Sequence, residues 1–161
     1  MEAFSQWLSR TEVSLFFQEQ FEFLAFLQAI HIMAVAMVGS SVLMIDLQIL
    51  GVVGRSQTMA QVAYRFVAWL WAGLVVLFVT AIPLIVAEPR RDLTNWTFHL
   101  KMAMIAAGIA ITVGFQRSLW RDATAWDKRP NGLPTAALAV ITLLLWAAIA
   151  ISGRWIAYTW H

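Results

Sequence analysis

Four long apolar runs, each about as long as a bilayer is thick, constrain this chain more than any other feature. A membrane-spanning helix needs roughly 20 mostly apolar residues, and the runs fall at residues 21–50, 62–86, 96–116 and 135–156. Hydrophobic residues make up 61% of the chain and charged residues 12%, so little sequence is left for a soluble domain. The sequence therefore predicts an all-α integral membrane protein with a bundle of four transmembrane helices.

The segment before the first run has a different pattern. Residues 1–20 alternate Phe4, Trp7, Leu15 and Phe16 with Ser, Arg and Glu, without the basic start and small-residue cleavage site of a signal peptide. This pattern is typical of a short amphipathic helix lying in the membrane interface, and a disordered aromatic tail is the alternative. We expect an interfacial segment at residues 1–20 and a four-helix transmembrane domain at residues 21–161.

Composition excludes several classes of function. The chain has no cysteine, which excludes disulfides, thiolate metal sites and cysteine nucleophiles. Its net charge is only +2, and the arginines fall mostly at the ends of the apolar runs. That distribution indicates contact with lipid headgroups and argues against nucleic acid as a partner.

Basic residues also predict the orientation, because they are enriched in cytoplasmic loops. One side of the membrane would hold Arg55, Arg65, Arg117, Arg121, Lys128 and Arg129. The other side would hold Arg10, Arg90, Arg91, Lys101 and Arg154. This bias predicts a multi-pass protein of the bacterial inner membrane with both termini in the periplasm.

Two histidines fall at similar predicted depth near the outer face. His31 lies in the first run and His99 a few residues into the third. Imidazoles on facing helices are typical ligands of a b-type haem, so His31 and His99 are the predicted haem ligands. Arg90, Arg91, Arg154 and Lys101 lie toward the same face and would compensate the charge of the propionates.

Other interpretations of these histidines stay open. A single intramembrane histidine often forms a hydrogen bond between helices, and His99 is close enough to the interface to contact headgroups. A zinc or copper site would need a third ligand, for which Glu88, Asp92, Met33 or Met102 is available. His161 is expected to be a terminal residue without a role.

The remaining ionisable residues of the runs predict structural contacts. Asp46 lies about one turn before the end of the first run and Arg65 about one turn into the second, so a structural ion pair is expected. A proton-relay or quinone-side role for Asp46 is the alternative. Lys101 lies about 200° around the helix from His99 and should either extend outward or meet an anionic group such as a propionate.

The third run is rich in small residues, which allow close approach of helices in a membrane. Its small residues are Ala103, Ala106, Ala107, Gly108, Ala110 and Gly114. We expect this helix to be the most crowded in the bundle.

Three segments carry a resemblance: HIMAVAMVGSSVLMIDLQILG, FHLKMAMI and SGRWIAY. They resemble a family of small bacterial four-span proteins of unknown activity with a helix-one histidine, a DLR-LG-like turn, an F-x-x-K motif and a terminal GRW-I-A-Y motif. The resemblance covers residues 21–158 and implicates His31, Asp46, Lys101 and Arg154. Gln48 stands where the family pattern has arginine.

More distantly, the chain is similar to CopD-type and HemJ-type membrane proteins, in which a helix-one histidine and a helix-three lysine recur. HemJ-type proteins bind haem and oxidise protoporphyrinogen, and this chain lacks their W-x-x-G-x-x-Y stretch after the histidine. The resemblance thus implies a haem site without implying that enzymatic activity.

The function expected from these features is that of a cytochrome b-like membrane subunit that binds haem b. It would pass electrons between an extracytoplasmic redox partner and the quinone pool, and would not be a free-standing enzyme. The alternatives are a non-catalytic accessory subunit that anchors a larger membrane complex, and a CopD-like metal-handling protein.

Overall fold

The computed structural model describes residues 1–54, 56–128 and 133–156, and Arg55, Arg129 and His161 lie outside these ranges. The described part of the chain is helical, with short turns between the helices. The helices are α1 (Glu2–Leu8), α2 (Glu12–Glu19), α3 (Phe21–Ile49), α4 (Met59–Ala87), α5 (Pro89–Leu93), α6 (Trp96–Arg121), α7 (Ala123–Lys128) and α8 (Leu133–Trp155). Four of them, α3, α4, α6 and α8, are long and apolar enough to cross a membrane. The prediction of four such helices is confirmed.

Local sequence signals set where these helices begin. Thr58 precedes α4 and forms a capping box with Gln61, in which each side chain bonds the other residue's backbone. Asn95 caps α6 by accepting a hydrogen bond from the Thr97 backbone N–H at 2.8 Å. These caps satisfy backbone donors that would otherwise have no partner at a helix start.

A glycine turn joins α3 to α4, and Gln48 stabilises it. Gly51 and Gly54 adopt left-handed backbone conformations with φ of 69° and 70°, which other residues rarely adopt. The Gln48 amide Nε2 donates to the carbonyls of Gly54 and Gln57 at 3.3 and 3.1 Å. Glutamine therefore serves this turn at the position where the family pattern has arginine.

The packing order places α8 between α3 and α6. Helix α3 packs most extensively against α4, and both α3 and α6 pack along α8. Two apolar clusters form the core. The first contains Val38, Val42, Leu70, Trp146 and Ile149, and the second contains Ile45, Met59, Ala63, Phe115 and Leu119.

The closest helix approaches occur at Gly73 and Gly108. A methyl group added at Gly73 of α4 would lie 2.7 Å from the Val38 Cγ2 atom of α3. One added at Gly108 of α6 would lie 3.2 Å from the Trp146 ring of α8. Glycine is therefore required for the observed α3–α4 spacing.

The prediction that the third long helix is the most crowded was wrong. Only 17% of the apolar window of α6 is buried inside the bundle, against 33% for α3. The residues Ala103, Ala106, Ala107, Ala110 and Gly114 are exposed on its outer face. Small residues permit close packing, but they do not decide which face of a helix turns inward.

The N-terminal segment forms two short helices that lie against α4 and α5. Ser5 and Ser14 are buried, and the Ser14 hydroxyl donates to the Val86 carbonyl of α4 at 2.7 Å. The aromatic side chains of Phe4, Trp7 and Phe16 are exposed. The segment thus bonds to α4 through Ser14, while the Ser5 hydroxyl donates to the Glu2 carbonyl of its own helix, and the aromatic side chains face outward.

Candidate functional site

Polar side chains from several elements converge where α3 and α6 begin and α4 and α8 end. We call this part of the bundle the histidine end, defined by His31, Thr80, Asp92, Lys101 and Gly153. We call the opposite part the aspartate end, defined by Asp46 and Thr142. The two ends are described in turn.

His31 is half-buried and bonds across the α3–α4 interface. Its Nδ1 atom lies 2.7 Å from the Thr80 hydroxyl oxygen, and that oxygen lies 2.7 Å from the Val76 carbonyl. A hydroxyl has one proton to donate; when Thr80 donates it to the Val76 carbonyl, the Thr80 oxygen accepts from the His31 Nδ1–H. A neutral His31 then carries its free lone pair on Nε2, which makes no hydrogen bond within the described ranges.

Lys101 is the residue of α6 that turns toward His31. Its ammonium lies within electrostatic range of both His31 and Asp92. A methyl group added at Gly153 of α8 would lie 3.2 Å from the Lys101 Nζ atom. The absence of a side chain at Gly153 therefore makes room for the ammonium group.

Asp92 and Arg91 form the charged border of the histidine end. Asp92 is only 7% exposed, and its Oδ1 atom accepts a hydrogen bond from the Arg91 Nε at 3.2 Å. Arg91 also pairs with Glu88. Burial raises the pKa of Asp92, while the charges of Arg91 and Lys101 oppose that rise.

His99 is held by a bond to its own part of the chain. The His99 Nε2 atom bonds the Leu93 carbonyl at 3.0 Å, which ties the ring to the turn before its own helix. His31 and Lys101 come together instead, because Lys101 lies about 200° around α6 from His99. A role of His99 as a haem ligand stays a prediction, and with Nε2 bonded to the Leu93 carbonyl the nitrogen left to ligate is Nδ1.

The three arginines predicted near the propionates lie at different places on this border. Arg91 is half-buried in its ion pairs with Glu88 and Asp92. Arg90 and Arg154 are exposed. Among these four basic residues, Lys101 is the one whose charge acts on His31 in the described part of the chain.

Protein ligands for a zinc or copper ion do not converge in the described ranges. No group of three or more His, Cys, Asp or Glu side chains is arranged there to hold a metal ion. Met33 and Met102 are 72% and 45% exposed, so neither joins His31 at a site. A haem iron needs fewer protein ligands than a zinc or copper ion, because the porphyrin supplies four of its nitrogen ligands.

At the aspartate end, the predicted Asp46–Arg65 ion pair was wrong. Asp46 is 5% exposed, and its Oδ2 atom lies 2.7 Å from the Thr142 hydroxyl of α8. Arg65 is exposed, because it lies about 200° around α4 from the buried Ala63. Within the described ranges, the ion pairs involve Arg91 and neither of these residues.

Sequence reasoning missed the partners Thr80, Thr142 and Gly153. Both threonines are single hydroxyl residues in long apolar stretches, and that isolation is the signal that could have identified them. Gly153 belongs to the SGRW stretch that carries the family resemblance. The contact of Gly153 with Lys101 gives that glycine a physical role.

Taken together, the fold and these polar groups define a class: helical bundles whose long apolar helices enclose a few buried ionisable residues. Within that class, the chain belongs to a family of unknown function (DUF6644), whose family model matches residues 18–159. The comparison with curated proteins gives no match, and the comparison with solved structures gives none.

Proposed function

We propose that this protein is a multi-pass subunit of the bacterial inner membrane that binds haem b at the histidine end, with His31 as the axial ligand. It would pass electrons between an extracytoplasmic redox partner and the quinone pool. The observation that carries the proposal is the arrangement of His31, in which Thr80 fixes Nδ1 and leaves the Nε2 lone pair free. Such a second hydrogen bond is the usual means of orienting a ligating imidazole.

Lys101 supplies the matching charge for an anionic ligand. Its ammonium lies near His31 and against Gly153, and a haem propionate is the anionic group that such a position would bind. The distant similarity to HemJ-type proteins, with their helix-one histidine and helix-three lysine, supports the same pairing. Bound haem would supply one-electron chemistry, while the protein would orient it and exclude water.

Placement in a membrane rests on the four long apolar helices and on their aromatic ends. Trp96, Trp120 and Trp155 lie at helix ends and are 77%, 76% and 59% exposed, as is typical of residues at the headgroup level. The exposed aromatic face of α1 and α2 fits the interface of the same bilayer. With the charge bias, these features favour periplasmic termini and a histidine end near the outer face.

A visible difference spectrum tests the proposal. The protein would be expressed with haem supplied, purified in mild detergent, and measured as reduced minus oxidised. We expect a Soret difference band in the wild type that is absent from His31→Ala and retained in His99→Ala, since His99 bonds the Leu93 carbonyl. A colourless wild-type protein, or loss of haem from His99→Ala alone, would refute His31 as the axial ligand.

Lys101→Met and Gly153→Ala test the propionate contact. A hydrogen bond to a charged group is worth about 1.5–3 kcal/mol, so Lys101→Met should weaken haem retention by about tenfold or more. Gly153→Ala should produce a smaller loss, because the added methyl group would only displace the ammonium. Arg90→Met is the matched control, since Arg90 is exposed and its removal should leave haem retention unchanged.

A second candidate function is that of a non-catalytic subunit anchored within a larger membrane complex. The observation that favours it is the outward face of α6, where small residues at helical spacing meet no other helix of this chain. This function predicts a colourless protein that co-purifies with other membrane subunits. Bulky substitutions at Ala107 should then release those subunits without unfolding the chain.

A further inference from the structure

Asp46 is a buried carboxyl group that forms no ion pair with any side chain in the described part of the chain. Its side chain is 5% exposed, and its polar contact in the structure is the Thr142 hydroxyl at 2.7 Å. The buried Gln116 amide nitrogen on α6 has no hydrogen-bond partner in the described ranges, so it does not donate to Asp46 either. Among the described side chains, a carboxylate here would have one donor and no counter-charge, which is strongly unfavourable in an apolar interior.

The charged and titratable groups of the neighbouring elements face away from Asp46. Among the described side chains at the aspartate end, these groups are Tyr64 and Arg65 on α4, Arg117 and Arg121 on α6, Asp122 directly after α6 and Asp127 on α7, all of them exposed. Asp127 accepts a hydrogen bond from the Met59 backbone N–H at 2.7 Å. Helix α8 carries its one charged residue, Arg154, at the histidine end.

The hydrogen count at Thr142 allows two arrangements, and in one of them Asp46 carries a proton. Its hydroxyl oxygen is 2.7 Å from Asp46 Oδ2, 2.9 Å from the Ala139 carbonyl and 3.1 Å from the Leu138 carbonyl. All three neighbours are oxygens, and the hydroxyl donates only one proton. When that proton goes to a carbonyl of α8, as is common for threonine in helices, the proton between Thr142 and Asp46 must come from Asp46.

We propose that Asp46 is a proton-binding site, protonated at neutral pH and in exchange with water. In the protonated state, the Asp46 Oδ2–H donates to Thr142, and the Thr142 hydroxyl donates to the Ala139 carbonyl. On release, the O–H bond of Asp46 breaks and the proton passes to water. The Thr142 hydroxyl then turns its own proton from the Ala139 carbonyl to the Asp46 carboxylate. This proposal concerns the aspartate end and does not depend on haem binding.

Infrared difference spectroscopy tests this proposal. The full chain, reconstituted in lipid vesicles at neutral pH, would be compared with Asp46→Asn in H2O and in D2O. We expect a carboxylic-acid C=O band that disappears in Asp46→Asn and moves to lower frequency in D2O. Thr142→Val should shift the same band to higher frequency, because the acid loses its hydrogen-bond acceptor.

Asp92→Asn is the matched control, because Asp92 is the other buried aspartate. The Asp46 band should persist in Asp92→Asn with its D2O shift unchanged. If Asp46→Asn removes only carboxylate bands, Asp46 is ionised and the proposal fails. If an Asp46-dependent acid band does not move in D2O, the proton does not exchange and the proposal fails as well. Asp46→Asn replaces a neutral acid by a neutral amide of similar size, so a folded variant is expected.

Discussion

The two ends of this bundle hold polar groups among apolar helices in different ways. At the histidine end, charges of both signs lie together: Lys101 and Arg91 face Asp92, with His31 beside them. At the aspartate end, a buried carboxyl contacts a threonine hydroxyl, and no described side chain forms an ion pair with it. The first arrangement can bind an anionic ligand, while the second favours a neutral acid.

The difference follows from the depth and size of the partners. Lysine and arginine side chains near a helix end can keep their charge close to the interface. Thr142 lies well inside α8, nine residues beyond its start at Leu133, where a long cation would have to be fully desolvated. A hydroxyl is the smaller and less costly partner at that depth.

Thr80→Val should produce the largest loss of stability in this comparison. The substitution preserves shape but leaves the His31 Nδ1–H without its acceptor. Cross-helix hydrogen bonds in membrane proteins are worth about 0.6 kcal/mol on average and up to about 1.7 kcal/mol, and we expect a value near the upper limit. Denaturant unfolding in detergent would measure it.

Thr112→Val is the control for Thr80→Val. Its hydroxyl bonds only the Gly108 carbonyl of its own helix, at 2.9 Å, so its loss should change the free energy of unfolding by less than about 0.5 kcal/mol. Equal effects of the two substitutions would show that the His31–Thr80 bond adds nothing to the α3–α4 contact.

Thr142→Val should produce a smaller loss and report the charge of Asp46. A neutral carboxyl group would lose one neutral hydrogen bond, worth about 0.6 kcal/mol. A carboxylate would lose its only donor, at a cost of about 1.5–3 kcal/mol. The same unfolding measurement distinguishes the two values. The larger value would mean that Asp46 is ionised, and both ends of the bundle would then hold charged groups.

Asp92→Asn should have the smallest effect, visible as a change in pH dependence. Burial raises the pKa of Asp92 in the folded state above the ordinary value of 3.8, so the folded protein holds this proton more tightly than the unfolded chain. Its contribution to stability is therefore fully present below the ordinary value and is lost as the pH rises through the folded pKa. The effect is small because Arg91 and Lys101 oppose it.

Thermal unfolding of wild type and Asp92→Asn across the acidic range checks this sign. The wild type should lose stability relative to the variant as the pH rises. A relative gain would mean that the ion pair with Arg91 outweighs burial.

The sequence predicted the bounds of the four long helices to within a few residues. This was possible because the length and the apolar content of a segment decide whether it can form a helix long enough to cross a membrane. The starts of α4 and α6 agree with the capping residues Thr58 and Asn95. His31 and Lys101 could also be selected from the sequence, because an ionisable residue in an apolar run is rare.

The partners of these residues could not be selected in the same way. His99 and Lys101 are two positions apart in one helix, and the rotation of α6 decides which of them faces α3. Asp46 and Arg65 lie at similar distances from one turn, yet the rotation of α4 turns Arg65 outward. The rotation of a helix depends on how its whole face packs against the neighbouring helix. The contact of Gly73 on α4 with Val38 on α3 is one part of such a face. The identity of a single residue does not reveal this rotation.

The sequence by itself determined the set of helices. In an apolar medium the backbone N–H and C=O groups of each run must bond to one another, and a helix satisfies them within a single run. The tertiary structure decided that His31 meets Thr80 and Lys101, and that Asp46 meets Thr142. The physical reason is that helix formation is local, while side chains meet only after packing has fixed the rotation and spacing of neighbouring helices.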